Sequence, residues 1–117
     1  MTSEAMEENI VVRSANLDLG PALPGQAPKA LMRAALKYSD EIRAASVFFS
    51  RERRFFRSRI SIDAAASGVL TSEALGFSPH EAFDTALRKV AKQLRRKKRL
   101  RDDKRTPAPD ALSSVPA

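Results

Sequence analysis

The chain reads as a single α+β domain of element order β-α-β-β-β-α, a four-stranded sheet with two helices on one face. Three observations carry that expectation. Residues 56–64 (FRSRISIDA) alternate, with Phe56, Ile60 and Ile62 on one side and Arg57, Arg59, Ser61 and Asp63 on the other. That is the pattern of a strand with one buried and one wet face. Ser78, Pro79 and Glu81 together supply an N-cap, a proline at the first helical position and a capping box. Beyond them Phe83, Leu87, Val90 and Leu94 recur at i, i+4, i+7 and i+11, one apolar stripe on a long helix.

Residues 1–8 are polar and acidic and are expected to form a disordered tail. Residues 9–13 (NIVVR) are rich in β-formers and predict the first strand; 14–20 is a loop. Within residues 28–38, Leu31, Ala35 and Tyr38 share a helical face, with Met32 and Leu36 beside it, and Lys29, Arg33 and Lys37 form a basic stripe facing away. An interior proline costs a helix about 3 kcal/mol but is tolerated at its first position. The regular helix is therefore expected to start near Pro28, leaving 21–27, with Pro24 and Gly25, as a loop or one loose turn. Residues 44–51 predict the second strand, with Val47 and Phe49 on one face and Phe48 and Ser50 on the other. Residues 52–54 make a turn, Ser67-Gly68 another, and 69–75 the last strand. The capped helix should run to about Asp103, nearly 40 Å at ~1.5 Å per residue. Residues 106–117 (TPAPDALSSVPA) read as a disordered tail or a truncated linker, so the ordered domain is expected to span 9–105.

Charge gives the functional direction. The 117 residues carry a net charge of +7, and eleven of the 21 Lys and Arg residues fall within 88–105. At ~100° per residue the apolar stripe should next reach positions 97, 98 and 101, which hold Lys97, Lys98 and Arg101. The helix is thus expected to leave its sheet near Leu94 and to be basic on nearly every side beyond it. Arg88, Lys92 and Arg96, with Arg99 further on, lie opposite the stripe. Such a helix repels itself, and the C-terminal dipole returns only ~0.3–1 kcal/mol per well-placed cation. A phosphate backbone would offset the repulsion far better, so the expected partner is a nucleic acid. An anionic membrane fits less well, because the projecting part lacks residues that insert, and no apolar run approaches the ~18 residues of a span.

Other classes of function find little support. The chain has no cysteine, which excludes disulfides, thiol nucleophiles and Cys-ligated zinc. The polar N-terminus is unlike a signal peptide, which makes a cytoplasmic location the default. His80 stands alone in the first turn of its helix, where a surface or capping role is expected. Asp102 and Asp103 are neighbours on a helix and point apart. Arg51 to Arg57 interleaves arginines with aromatics, leaving Phe55 as a free ring that could stack on a base. There is no Gly-rich phosphate loop and no nucleophile-base set. No enzyme, catalytic residue, metal, cofactor or small-molecule substrate is expected.

Three stretches carry a resemblance: NIVVRSANLDLGPAL, LKYSDEIRAASVFFSRE and SPHEAFDTALRKVAKQLRRKKRLRDD. Between them they run from about residue 9 to residue 103 and are similar to the ribosome hibernation-promoting factors, the ribosome-associated translation inhibitors of bacteria. The resemblance implies a fold similar to a double-stranded-RNA-binding domain. It implies binding to 16S rRNA in the decoding region of the small ribosomal subunit, and silencing of idle ribosomes in stress or stationary phase by blocking mRNA and tRNA sites. Carried over by position, the rRNA contacts would be Arg88, Lys89, Lys92, Arg95, Arg96 and Arg99, with Lys29, Arg33 and Lys37 as a second tier. The chain departs from the family at Pro24, Gly25 and Pro28 in the first helix, at Ser78 and His80, where Asp and Tyr are common, and at Arg53 and Arg54, where Gly and His are common. Long members add a C-terminal domain that joins two ribosomes. The chain shows none, so ribosome dimerisation is not expected, and the Pro/Ala tail slightly favours a long member ending in its linker. The alternative is a general double-stranded-RNA or other nucleic-acid binder without a ribosomal role; a further one is a protein-interaction module that meets an acidic partner.

Overall fold

The computed structural model describes residues 9–105 except 16, 18 and 21, with side chains described to residue 103. The segments 1–8 and 106–117, expected as tails, lie outside the described residues. Six elements follow in the expected order: β1 (Ile10–Ser14), α1 (Ala22–Lys37), β2 (Ile42–Glu52), β3 (Phe55–Ala64), β4 (Gly68–Gly76) and α2 (Pro79–Arg105). The strands form one mixed sheet in the order β1-β2-β3-β4. β1 runs parallel to β2, and the other pairs are antiparallel.

The period-2 pattern sorts the sheet into two faces. Ile10, Val47, Phe49, Ile60, Ile62, Leu70 and Ala74 are buried beneath the helices, while Val11, Phe48, Arg59 and Glu73 point to the other side and are exposed. Ser58 also points inwards and is fully buried. Both helices therefore share one face, and the Phe49 and Phe83 rings meet across the interface with centroids 6.3 Å apart.

α1 begins at Ala22, six residues before the position expected from Pro28. Pro24 sits in the first turn, where amide hydrogens have no helical partner anyway. Pro28 does lie inside the helix. The compensation is a stripe spaced by four: Leu23, Ala27, Leu31 and Ala35 are all buried. Burying Leu23 is worth about 1.5–3 kcal/mol, comparable to the proline penalty of ~3 kcal/mol. Leu36, expected beside the core stripe, is 65% exposed. The helix ends in a Schellman motif: Asp40 N–H donates to Ala35 O at 2.9 Å and Ser39 N–H to Leu36 O at 3.1 Å, with Ser39 at φ 56°.

α2 starts as its cap predicts. Ser78 Oγ accepts from the Glu81 amide at 3.1 Å, and the Glu81 carboxylate reaches back to the Phe77 amide at 2.7 Å. Gly76 is required just before it, since a Cβ there would sit 2.6 Å from the Ala82 nitrogen. The buried face of α2 is Ala82, Phe83, Ala86, Val90 and Leu94. Leu87, placed in the stripe by its spacing, is only half-buried. The two alanines fit where the helix approaches β4 most closely. They turn the packed face roughly 40° away from the Phe83–Leu87 line, at ~100° per residue.

Candidate nucleic-acid interface

The rotation decides which cations face outward. Opposite the observed core face, at ~100° per residue, lie Arg88, Lys92, Arg95 and Arg99. All four are exposed. Arg88 is steadied by Thr85, its Nη2 lying 3.4 Å from Oγ1. Lys92, Arg95 and Arg99 make no hydrogen bond or ion pair among the described residues. Arg96 is exposed as well but tilts towards the β4 side of the helix. Lys89 is not on this ridge: its Nζ donates to Glu73 O at 3.0 Å. One turn on, Gln93 Nε2 donates to Thr71 O at 2.7 Å. Both acceptors belong to β4, the edge strand, so these side chains cover an edge that would otherwise be open to pairing.

The expected departure of α2 from the body at Leu94 does not occur. Arg101, on the same face two turns later, donates from Nη1 to Ser67 Oγ at 3.1 Å and from Nη2 to Tyr38 O at 3.3 Å. It also lies 3.9 Å from Asp40 Oδ2. The Asp40 side chain is fully buried and accepts from the amides of Glu41 (2.9 Å) and Ala66 (2.8 Å) and from the Ser67 hydroxyl. Burial by itself would raise its pKa. The hydrogen bonds from Ser67, Ala66 and Glu41, with the Arg101 charge, outweigh it and hold the carboxyl below its ordinary value. A polar latch thus replaces the apolar stripe and ties the last turns of α2 to the end of α1 and the β3–β4 turn. Lys98 pairs with Asp102 at 2.8 Å, which spends one cation of the cluster locally.

Lys29, Arg33 and Lys37 are exposed along α1 as their spacing requires. The fold brings two of them to α2: Arg33, Lys37 and Arg88 line a groove between the helices, floored by Ala30, Ala34, Leu87 and Ala91. Lys37 Nζ sits 5.7 Å from the Tyr38 ring centroid. Lys29 is not part of the groove. The result is a ridge of cations along α2 joined to a basic groove, on the side away from the sheet. It offers phosphates several cations on an open surface. His80 Nε2 lies 3.3 Å from Gln26 Oε1 at the helix start. Among the described residues no cluster of His, Cys, Asp and Glu could hold a metal ion, and no helix is long and apolar enough to cross a membrane.

Periodicity could not reveal Arg101 and Asp40 as partners, since they meet only through the tertiary fold. Arg13 and Arg59 were also missed as an exposed pair. The alternation did place Arg59 on the wet face, but only strand register sets Arg13 beside it, across Phe48.

Comparisons with known proteins agree with this architecture. No curated protein matches the chain. Among solved structures, the N-terminal domain of Thermus thermophilus Protein Y superposes with a TM-score of 0.64 at 23% identity, covering 74% of this chain and 93% of that one. A ribosomal subunit interface protein from Coxiella burnetii superposes with a TM-score of 0.65 at 19% identity, covering 76% and 96%. These likenesses show the fold. The model of the family described as sigma 54 modulation protein / S30EA ribosomal protein matches residues 10–101, which takes in all four strands, α1 and most of α2. By that match the chain belongs to the sigma 54 modulation protein / S30EA ribosomal protein family, the hibernation-factor family whose residues it resembles.

Proposed function

We propose that residues 9–105 form a ribosome-binding domain that occupies the decoding region of the small subunit and inhibits translation by excluding mRNA and tRNA. The observation that carries this reading is the family match over residues 10–101, on a chain whose α2 presents an outward cationic ridge. In this reading Arg88, Lys92, Arg95 and Arg99 contact 16S rRNA phosphates, with Arg33 and Lys37 contributing across the groove and Arg96 at its margin. Lys89 keeps to the β4 edge and contributes charge from the side. Recognition is of backbone shape and charge, since an A-form major groove is too narrow for side chains to read. Silencing follows from occupancy and needs no chemistry. Stress or stationary phase would be the setting in which an idle subunit is available, and the cytoplasm the compartment.

Co-sedimentation with purified small subunits tests the reading. Pelleting should weaken steeply with salt, by about 10³–10⁵-fold between 50 and 200 mM if six to ten phosphates are contacted. Added mRNA and initiator tRNA should compete it away. Equal affinity for any RNA duplex, with no competition by tRNA, would instead make the protein a general duplex binder.

A further inference from the structure

Among the described residues no element covers the sheet face turned away from the helices. Of the exposed large apolar residues, Val11, Phe48, Val69, Leu75 and Phe77 share this face, whereas Leu36 and Leu100 lie on the helices. Register places the charges among them. Arg13 of β1 pairs with Phe48 of β2, which pairs with Arg59 of β3. One row across the sheet therefore carries guanidinium, ring, guanidinium and, from Glu73 of β4, carboxylate at ~4.8 Å strand spacing. Phe48 is 41% exposed in the middle of this row.

The acids on this face are already committed. Glu73 and Glu52 are both bonded to Arg57, the former at 2.9 Å, and Asp63 is 3.7 Å from Arg43. The Arg57 hydrogen bond holds the Glu73 carboxyl below its ordinary value, with Arg59 adding a smaller attraction. Arg13 and Arg59 make no ion pair among the described residues. Arg59 faces Glu73 across the β3–β4 pair, but that carboxylate is bonded to Arg57, so Arg59 has only a shared acid and Arg13 none, and the charge flanking the open ring is positive on balance. Further along β3, Phe55 packs on Phe77 with centroids 5.2 Å apart, and Phe77 is 70% exposed. Four residues along the strand and one strand across, that pair is roughly 14 Å from Phe48, a span a few nucleotides can bridge.

We propose that this open sheet face binds single-stranded RNA, with a base stacked on Phe48, its flanking phosphates taken by Arg13 and Arg59, and a later base reaching the Phe55–Phe77 pair. Flat aromatic platforms on a sheet bind bases with little sequence preference, because every base has a π-face. The chemistry favours RNA over a protein partner because arginines interrupt the apolar groups at the centre of the face. The inference deepens the ribosomal reading: the domain would hold structured rRNA on its helices and an unpaired strand on its sheet.

The test uses a short oligouridylate, which cannot form a duplex, with binding followed by NMR shifts and anisotropy. Wild-type shifts should centre on residues 13, 48 and 59. Phe48→Ala should weaken binding by about 5- to 150-fold, the usual loss for one stacked ring. The variant should still melt cooperatively, because the ring lies outside the core cluster. Arg13→Glu with Arg59→Glu should weaken binding similarly. Arg95→Glu with Arg99→Glu, on the opposite side, should leave uridylate binding within a few-fold while losing the small subunit. The proposal fails if the wild type does not bind the oligouridylate, or if the α2 variant loses it while Phe48→Ala keeps it. It fails also if Phe48→Ala loses only the small subunit, which would make the face a protein-docking surface. Loss of uridylate binding in Phe48→Ala by a protein that never pellets with ribosomes would support the sheet site and reject the ribosomal reading.

Discussion

Replacing Asp40 by asparagine should loosen the end of α2 without touching a single apolar contact. The carbonyl oxygen of the new side-chain amide can still accept from the backbone amides of Glu41 and Ala66, which lie 2.9 and 2.8 Å from Asp40 Oδ1 in the native protein. What is lost lies on the Oδ2 side: the charge-assisted bond from Ser67 and the attraction of Arg101 at 3.9 Å. A hydrogen bond to a charged group is worth about 1.5–3 kcal/mol, and removing a buried charge returns part of that. A net loss of about 1–2 kcal/mol remains, or a Tm lowered by roughly 5–15 °C in a domain of this size. Asp40→Ala should cost more, about 3–5 kcal/mol, because two amides are then left without an acceptor. The pH dependence has a definite sign. The folded-state pKa of Asp40 is depressed, so its contribution is complete above the ordinary aspartate range near ~4 and is lost as pH falls through the folded value. The gap in Tm between wild type and Asp40→Asn should therefore close as pH drops below ~4. Thermal melts by circular dichroism measure both. Equal Tm values at neutral pH would refute the latch, and a gap that stays constant into acid would refute its electrostatic origin.

Three further outcomes follow from the packing. Val90→Asp places a charge on a fully buried position and should abolish the cooperative melt, whereas Leu87→Asp, at the half-buried wall of the groove, should cost only about 1–2 kcal/mol. Ser58 is fully buried and its hydroxyl has no partner among the described residues; Ser58→Ala should raise Tm by about 4–8 °C, since a buried unsatisfied hydroxyl costs ~1 kcal/mol or more. Arg53 holds φ 60° at the β2–β3 turn, so Arg53→Gly should stabilise by ~0.5 kcal/mol, or about 2–4 °C, after glycine's greater unfolded entropy is subtracted.

The fold was legible where one local pattern dominated. The alternation of 56–64 placed β3 to within a residue, and the Ser78–Glu81 cap placed the start of α2. Local rules failed where burial decided. At Pro24 and Pro28 the proline penalty argued against a helix, yet Leu23 and Ala27 are buried only if the helix extends back to Ala22. In α2 the eye follows large side chains to Leu87, but close approach to the sheet selects Ala82 and Ala86. That small rotation exchanges Arg96 for Arg95 at the centre of the basic ridge. Arg101 looked like a solvated cation because its partners, Asp40, Ser67 and Tyr38, are remote in sequence. The composition of the ridge was readable as charge, whereas its shape needed the tertiary fold. The row Arg13, Phe48 and Arg59 was invisible for a related reason: three strands must pair in register before it exists.

We propose above that the outward ridge of α2 holds the protein on the small ribosomal subunit. Co-sedimentation of Arg95→Glu with Arg99→Glu, beside wild type and at low salt, tests it most directly. Neither side chain is buried or paired among the described residues, so the variant should melt with the wild type. This variant should no longer pellet with small subunits. A folded variant that pellets like the wild type would contradict the proposal and move the ribosome-binding surface elsewhere on the domain.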